Sequence, residues 1–211
     1  MRDAFGESAF RVNGSSAVDP LLLFDQWLAE AGASEPSDAN AAALATCTPD
    51  GMPSARMVLA KQIHDSQAGY QRFSIFTNME SRKGGEMLAN PRAALCFHWK
   101  SLGRQIRVEG ALTALSKEAS ENYFHSRSRG SQISAAVSDQ SRPLANRELL
   151  LDRAAAFAHS HPEEIPRPDY WRGFYLAPER LEFWISGQDR LHDRMLFTRN
   201  GDGWLRGRLY P

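Results

Sequence analysis

Short apolar segments separated by turn residues dominate this sequence and restrict the folds that it can form. Residues 41–47 are typical of a strand, and the Thr-Pro-Asp-Gly turn at 48–51 follows them. Short loops join this strand to further predicted strands over 54–61 and 70–77. The same pattern predicts strands over 93–99, 104–115, 171–176, 180–185, 190–198 and 204–209. Short strands joined by short turns favour an antiparallel sheet that forms a barrel.

Helices are predicted between these strands. Asp19 can cap a helix and Pro20 suits its first position, and apolar residues at helical spacing extend the prediction over 20–31, where Gly32 can end it. Other helices are predicted from Ser81 to about residue 90, from Ser116 onward, and over 144–160. The fold class expected is therefore mainly β with inserted helices (α+β).

The domain organisation predicted is a mobile N-terminal arm, residues 1–18, followed by a single domain, residues 19–211. The arm is polar, and no change of composition divides the rest of the chain. Lys+Arg and Asp+Glu both number 25, and this balance argues against a nucleic-acid or membrane-surface binder. The acidic N-terminus and the lack of a long apolar run predict a soluble, cytoplasmic protein. Cys47 and Cys96 are interpreted as buried thiols, and no metal-binding motif is found.

The segment Ser81-Arg82-Lys83-Gly84-Gly85 is a candidate phosphate site. The backbone N–H groups at the start of a helix attract anions, and Arg82 and Lys83 add positive charge. Two glycines in a first turn disfavour a helix, which suggests close approach of a ligand to the backbone. The alternative is a frayed helix end that faces solvent.

Other candidate anion contacts are spread along the chain. Arg56 and Lys61 would face opposite sides of an ideal strand, so either a bulge redirects one of them or they contact different parts of a ligand. Tyr123, Arg127 and Ser131 would form one stripe on a continuous helix, which resembles a phosphate clamp. Surface cations and a solvated helix face are the respective alternatives. Gln140 and Ser141 are weaker polar candidates.

The segment from Arg190 to Arg194 is predicted to lie in a strand, with Arg190, His192 and Arg194 on one face. Three nitrogen-rich side chains on one face suit an anionic, planar ligand, although a charged edge strand is the alternative. Common nucleophile, zinc and dinucleotide motifs are absent from the sequence. Several anion contacts without an evident nucleophile suggest that a cofactor supplies the reactivity.

Taken together, these motifs closely resemble the pyridoxamine 5'-phosphate oxidase family of FMN enzymes. The resemblance extends from about Asp19 to Pro211. Its marks are Asp19-Pro20, residues 56–61 (RMVLAK), Thr77-Asn78 with Ser81-Arg82-Lys83, Arg104-Gln105, residues 123–127 (YFHSR), Ser131-Gln132-Ile133, Gln140-Ser141, Glu182-Phe183-Trp184 and residues 190–194 (RLHDR).

This resemblance implies an FMN-binding split β-barrel and a homodimer with FMN in clefts at the subunit interface. The implied FMN contacts are Arg56, Met57, Val58, Leu59, Lys61, Phe76, Thr77, Ser81, Arg82, Lys83, Gln105, Gln140, Ser141, Trp184 and Arg194. The implied substrate contacts are Lys61, Tyr123, Arg127, Ser131, Arg190 and His192. We hypothesise that Arg190 and His192 are catalytic: they would lie over the reacting carbon, orient the substrate and assist proton removal.

The implied reaction oxidises pyridoxine or pyridoxamine 5'-phosphate to pyridoxal 5'-phosphate, with FMN as hydride acceptor and dioxygen as the final oxidant. Two departures from the family pattern support an alternative. Ala135-Ala136 stand where an aromatic residue is usual, and Ser186-Gly187-Gln188-Asp189 replaces a Gly-Gly segment. Both resemble the phenazine-biosynthesis branch, whose flavin oxidases dehydrogenate a reduced phenazine carboxylate. A non-catalytic flavin or pyridoxal phosphate carrier is a third alternative.

Overall fold

One antiparallel sheet forms the centre of the molecule in the computed structural model, which describes residues 7–11 and 18–211. Its strands are β1 (Ala41–Cys47), β2 (Pro53–Leu59), β3 (Lys61–Asp65), β4 (Gly69–Asn78), β5 (Arg92–Trp99), β6 (Arg104–Ala114), β7 (Trp171–Ile185), β8 (Asp193–Asn200) and β9 (Gly203–Leu209). Their order is β2-β1-β5-β6-β7-β4-β3, and β8 pairs with both β7 and β9. The predicted antiparallel sheet is confirmed. Among the described residues β2 and β3, at the two ends of this order, do not pair, so the sheet stays open.

Strand β7 is a single strand of 15 residues, so the expectation of two strands over 171–176 and 180–185 was wrong. It pairs with β6 along its length, with β4 in its first part and with β8 in its last part. The register against β6 shifts between Glu109 and Gly110, and Pro178 lies opposite Gly110. A Cβ at Gly110 would overlap the carbonyl oxygen of Ala177, so glycine permits this close approach. A shift in register within one continuous strand thus lies where a break between two strands was predicted.

The described residues form five α-helices, of which the first precedes β1 and the others are inserted between strands: α1 (Pro20–Ser34), α2 (Arg82–Ala89), α3 (Lys117–Ser126), α4 (Arg129–Val137) and α5 (Arg147–Ser160). Side chains of Asp19, Ser81 and Ser116 cap α1, α2 and α3, as the sequence predicts. Gly32 does not end α1, which continues to Ser34 because glycine disfavours but does not forbid a helical interior. No helix in the part of the chain that the structure describes is long and apolar enough to cross a membrane.

Helix α1 covers the main hydrophobic core. Phe24 packs on Phe73 of β4 and Phe97 of β5, with ring centroids 4.6 and 5.3 Å apart. Trp27 meets Phe183 of β7 edge-on at 5.1 Å. These contacts bury large aromatic surfaces and hold the helix on the sheet.

The predicted N-terminal arm is only partly described, since residues 1–6 and 12–17 lie outside the described residues. Glu7–Phe10 form a 3₁₀ turn, and the Phe10 side chain is buried, 6.0 Å from the Trp27 ring. This part of the arm therefore packs on the core. The mobility of the arm as a whole stays a prediction.

The buried carboxylate of Asp65 joins the β3–β4 turn to the start of α3. Backbone N–H groups of Gln67 and Ala68 donate to one of its oxygens, and the Ser116 N–H donates to the other at 2.8 Å. Burial alone would raise the pKa of Asp65, but these donors outweigh burial and lower it to about 2. The ionised form therefore stabilises the fold.

We expect Asp65→Asn to lower the free energy of unfolding at neutral pH by about 2 kcal/mol, because the donors lose a charged acceptor. A carboxyl group whose pKa is lowered in the folded state stabilises the fold at pH values above its unfolded pKa of about 3.9. This stabilisation is lost as the pH falls toward the folded pKa. The difference between variant and parent should therefore shrink below about pH 4. Urea unfolding across this range measures it, with exposed Asp152→Asn as the control. A difference that stays constant with pH would contradict the assignment.

Candidate functional site

A cavity of about 500 Å³ opens where strands β2 and β4 meet helices α2, α3 and α4. Its wall combines apolar side chains from β2, polar groups from β4 and the 138–140 segment, and hydroxyls from α4. The lining residues are Met57, Val58, Leu59, Phe76, Thr77, Asn78, Lys83, Tyr123, Arg127, Ser128, Ser131, Ser134, Ala135, Ser138, Gln140 and Trp171. A wall that is partly apolar, with a few polar groups directed inward, is typical of a small-molecule site.

Two cations line this cavity, and its described lining contains no carboxylate. Lys83 Nζ donates to Gln140 Oε1 at 2.8 Å. Burial lowers the pKa of Lys83, and the nearby charge of Arg56 lowers it further. Both effects would be relieved by a bound anion, so the cavity is electrostatically suited to phosphate or carboxylate.

The guanidinium of Arg127 is the clearest sign of a missing partner. Its carbon lies 5.0 Å from the centroid of the Trp171 ring, a cation–π contact. Its Nη1 atom is buried and has no hydrogen-bond partner. Burial also lowers the pKa of Arg127. Because an unpaired buried donor is costly, this nitrogen fits an anionic ligand that accepts its hydrogen bond.

Three stacked aromatic rings form the floor beneath Arg127. Phe76 stacks on both Tyr123 and Trp171, with centroid distances of 4.0 and 5.3 Å. A Cβ at Gly173 would lie 2.5 Å from the Phe76 ring, so glycine is required for this packing. The stack positions the Arg127 guanidinium and the Tyr123 hydroxyl at the cavity wall.

The expected continuous helix through Tyr123, Arg127 and Ser131 was wrong, although all three residues line the cavity. Helix α3 ends at Ser126, and Arg127 has an extended backbone with φ of −77° and ψ of 155°. Gln132 donates to the Arg127 carbonyl at 2.8 Å and so stabilises the break. A helix break thus brings the residues together where the prediction assumed a helical stripe.

The two cations of the candidate phosphate segment at the start of α2 have different surroundings. Lys83 reaches the cavity, whereas Arg82 is 59% exposed and pairs with Glu86 at 2.9 Å. Glu86 also contacts Arg56 at 3.3 Å. Burial would raise the pKa of Glu86, but donors led by Ser54 outweigh it and lower the pKa to about 2. An ionised, buried Glu86 therefore holds both arginines beside the cavity and outside its lining.

Strands β6, β7 and β8 bring a second group of predicted residues together. Gln105 pairs with Trp184, and Trp184 pairs with Arg194, so these side chains share one face of the sheet. Arg194 Nε donates to Glu182 at 2.7 Å. Gln105 lines a separate cavity of about 510 Å³, which Met57 also lines.

The segment from Arg190 to Arg194 was wrongly expected to be one strand. A 3₁₀ turn covers Gln188–Arg190, and β8 begins only at Asp193. Asp189 and Arg190 have positive φ angles of 54° and 64°, which prevent an extended strand there. His192 still packs against Trp184, with ring centroids 4.6 Å apart. The Gly187 N–H donates to His192 Nδ1 at 3.1 Å.

The two groups lie at opposite ends of β7 in one chain. Trp171 lines the cavity, and Trp184 is thirteen residues further along the same strand. At about 3.3 Å per residue this separation is roughly 40 Å along the strand. The structure of one chain therefore does not bring Arg190 and His192 over the cavity that contains Lys83 and Arg127.

The predicted site residues divide accordingly. Those that line the cavity are Met57, Val58, Leu59, Phe76, Thr77, Lys83, Tyr123, Arg127, Ser131 and Gln140. Those outside its lining are Arg56, Lys61, Ser81, Arg82, Gln105, Ser141, Trp184, Arg190, His192 and Arg194. Lys61 belongs to β3 and not to the strand of Arg56, because the chain leaves β2 at Leu59.

Sequence reasoning missed five lining residues: Asn78, Ser128, Ser134, Ser138 and Trp171. Ser128 and Ser131 lie 2.9 Å apart through their hydroxyls, and their spacing at the start of α4 could have signalled a shared face. Of the two unusual alanines, Ala135 lines the cavity, while the Ala136 carbonyl accepts a hydrogen bond from the Tyr170 hydroxyl at 2.8 Å.

Two family models match the chain. Residues 28–161 match a model described as pyridoxamine 5'-phosphate oxidase, and residues 171–211 match one described as the pyridoxine 5'-phosphate oxidase C-terminal dimerisation region. The first covers the cavity residues up to Gln140. The second covers the segment that includes Trp184 and His192.

Curated relatives agree with these matches. The chain is 54% identical to pyridoxine/pyridoxamine 5'-phosphate oxidase of Rhodospirillum rubrum, over 92% of this chain and 96% of the relative. It is 53% identical to the protein of the same name from Sphingopyxis alaskensis, over 92% and 88%. Among solved structures, PhzG from Burkholderia lata in complex with tetrahydrophenazine-1-carboxylic acid is 31% identical, with a TM-score of 0.84 over 93% of this chain and 95% of that one.

We expect Gly173→Ala to destabilise the protein by about 1–3 kcal/mol, because the added methyl group overlaps the Phe76 ring and overpacks the stack. The unfolding midpoint in urea measures the loss. Gly207→Ala in β9 is the matched control, since a Cβ there meets no atom within 4 Å. Equal midpoints for the two variants would show that the stack does not require glycine.

Proposed function

Because the chain belongs to the pyridoxamine 5'-phosphate oxidase family, we propose that it is an FMN-dependent oxidase that converts pyridoxine or pyridoxamine 5'-phosphate to pyridoxal 5'-phosphate, with dioxygen as acceptor. The observation that carries this proposal is the buried, unpartnered Nη1 of Arg127, in a cavity with two cations and no carboxylate among its described lining residues. Both the cofactor and the substrate of this reaction carry phosphate groups.

Membership of this family supports a flavin cofactor, and the residues fit FMN. Lys83, which lines the cavity at the start of α2, would contact its phosphate, while Arg56 and Arg82, which Glu86 holds beside the cavity, stay predicted contacts. Backbone of β2 and the side chain of Thr77 would border its ring. When bound, FMN supplies the hydride acceptor and passes the electrons to dioxygen.

The substrate phosphate is assigned to Tyr123, Arg127 and Ser131. A hydroxyl, a guanidinium and a second hydroxyl meet on one wall of the cavity, and Ser128 adds a third hydroxyl 2.9 Å from that of Ser131. These donors orient the substrate by its phosphate and so hold its reacting carbon at a fixed position.

A homodimer would complete the site. Arg190 and His192 lie far along β7 from the cavity of their own chain, so a second copy is needed to bring an equivalent pair to it. The match of residues 171–211 to a dimerisation region supports this arrangement, since that region contains both residues. Lys61, Gln105, Ser141, Trp184 and Arg194 stay predicted ligand contacts, and cytoplasmic localisation stays a prediction.

The alternative substrate is a reduced phenazine carboxylate. Ala135 favours it, because a small side chain in the lining leaves room for a wider ring. The relatives above 50% identity are named for the vitamin B6 reaction, whereas PhzG is 31% identical, so we rank the B6 reaction first. A non-catalytic carrier ranks third.

Oxygen uptake by the purified, flavin-loaded protein tests the function. We expect uptake with pyridoxine or pyridoxamine 5'-phosphate, and slower or no uptake with a dihydrophenazine carboxylic acid. The reverse preference would assign the protein to the phenazine reaction. A flavin-bound protein with no uptake from either substrate would support the carrier.

We expect Arg127→Gln to raise KM for pyridoxine 5'-phosphate about 10- to 100-fold with little change in kcat, because a charge-assisted hydrogen bond to phosphate is lost. Steady-state kinetics measures this split. Arg180→Gln, an exposed arginine of β7, is the matched control and should change neither constant. An unchanged KM in the Arg127 variant would remove Arg127 from the phosphate site.

Mixed dimers test whether two chains share each site. At substrate concentrations well below KM, we expect Arg127→Gln and Arg190→Ala homodimers to be impaired, and their mixture to recover activity after refolding together. Random pairing places one intact site in half of the dimers, so about a quarter of the parental activity should return. No recovery, with mixed dimers verified by tagged chains, would show that both residues act within one chain.

A further inference from the structure

The turn that precedes β8 fixes the chemical state of His192. The Gly187 N–H donates to His192 Nδ1 at 3.1 Å, and a backbone amide can only donate. Nδ1 is therefore the unprotonated acceptor of the neutral ring, and Nε2 bears the hydrogen. The ring of Trp184 packs on the imidazole, with ring centroids 4.6 Å apart, and holds its orientation.

The backbone around this bond leaves few alternatives. A Cβ at Gly187 would overlap the carbonyl oxygen of Leu191, so only glycine allows the two segments to approach this closely. The Leu191 N–H donates to the Gln188 carbonyl at 3.0 Å, and the His192 N–H donates to the Arg190 carbonyl at 2.9 Å. These bonds close the turn that brings the Gly187 amide to Nδ1.

Positive φ angles at Asp189 and Arg190 add to the cost of this turn. A positive φ angle is disfavoured for any residue that has a Cβ atom, whereas a glycine would adopt the same angle freely. A strained turn persists where the surrounding structure holds it. Here the hydrogen bonds that hold it are the ones that orient His192.

We propose that Gly187 is a positioning residue that fixes His192 as a hydrogen-bond donor through Nε2, so that neutral His192 does not act as a general base. Neither ring nitrogen can accept a substrate proton in this state, because Nδ1 is engaged by the amide and Nε2 already bears hydrogen. His192 would instead donate to an oxygen or nitrogen of the substrate or the flavin. The target of this bond rests on the proposed function, but the tautomer does not.

Nitrogen NMR of the ¹⁵N-labelled holoprotein tests the tautomer directly. The spectrum is recorded at mildly alkaline pH, so that the neutral ring is observed. We expect His192 to show an unprotonated Nδ1 and a protonated Nε2, with the signals assigned by their loss in His192→Gln. A protonated Nδ1, or a mixture of both tautomers, would overturn the proposal even if the protein oxidises its substrate normally.

Gly187→Ala should abolish the single tautomer, because the methyl group displaces the amide from Nδ1. Gly32→Ala in α1, where a Cβ meets no atom within 4 Å, is the control and should keep it. A folded Gly187→Ala protein that keeps the single Nε2–H tautomer would overturn the role of Gly187. If this variant does not fold, the parental spectrum still decides the tautomer.

Kinetics separates a donor from a base. Glutamine can place an amide N–H near the position of Nε2, so His192→Gln should lose about tenfold or less in kcat/KM, the cost of a weakened neutral hydrogen bond. His192→Leu, which has no donor, should lose more than His192→Gln. A loss of about 10²–10⁴ in His192→Gln, equal to that in His192→Leu, is expected for removal of a base and would overturn the proposal.

Discussion

Strand β7, which continues past the irregularity at Pro178, is the constraint on which the rest of the structure depends. One strand pairs with β6 along its length and exchanges its other neighbour from β4 to β8 near the middle. Its first residue, Trp171, is part of the aromatic floor of the cavity. Its last residues include Trp184 and lead into the turn before β8. Because a strand is stiff and extended, both ends are positioned by the same ladder but stay well apart.

Charge is arranged differently at each end of that strand. At the cavity, Lys83 and Arg127 are half-buried without a carboxylate partner among the lining residues. Behind it, Glu86 pairs with both Arg56 and Arg82, and at the other end Glu182 pairs with Arg107 and Arg194. Buried carboxylates thus fix the arginines that surround the sites, while the cations inside the cavity are left for a ligand.

Features encoded by neighbouring residues could be predicted from the sequence. Asp19, Ser81 and Ser116 cap their helices because a cap depends on only three or four residues. Features that depend on distant partners could not. The strand β7 passes Pro178 because Gly110 of another strand tolerates the close approach, and α3 ends before Arg127 where Gln132 supports the break.

The candidate site shows the same division. Tyr123, Arg127 and Ser131 all line the cavity, although through a different backbone from the helix that was expected. The positive φ angles of Asp189 and Arg190 had no clear local signal, since neither residue is glycine, and they turned an expected strand into a turn. The distance of Arg190 and His192 from the cavity could be recognised only once the predicted strands 171–176 and 180–185 were seen to form the single strand β7.

Met57 lies on β2 at one end of the sheet order, is 66% exposed, and lines both of the cavities described above. A second chain laid over this strand would cover an exposed apolar side chain and close two cavities in a single step. If a molecule bound in those cavities contacts both chains, thermodynamic linkage requires that it tightens the association and that association tightens its binding by the same factor. Dilution of such an assembly would release its bound small molecules together with its subunits.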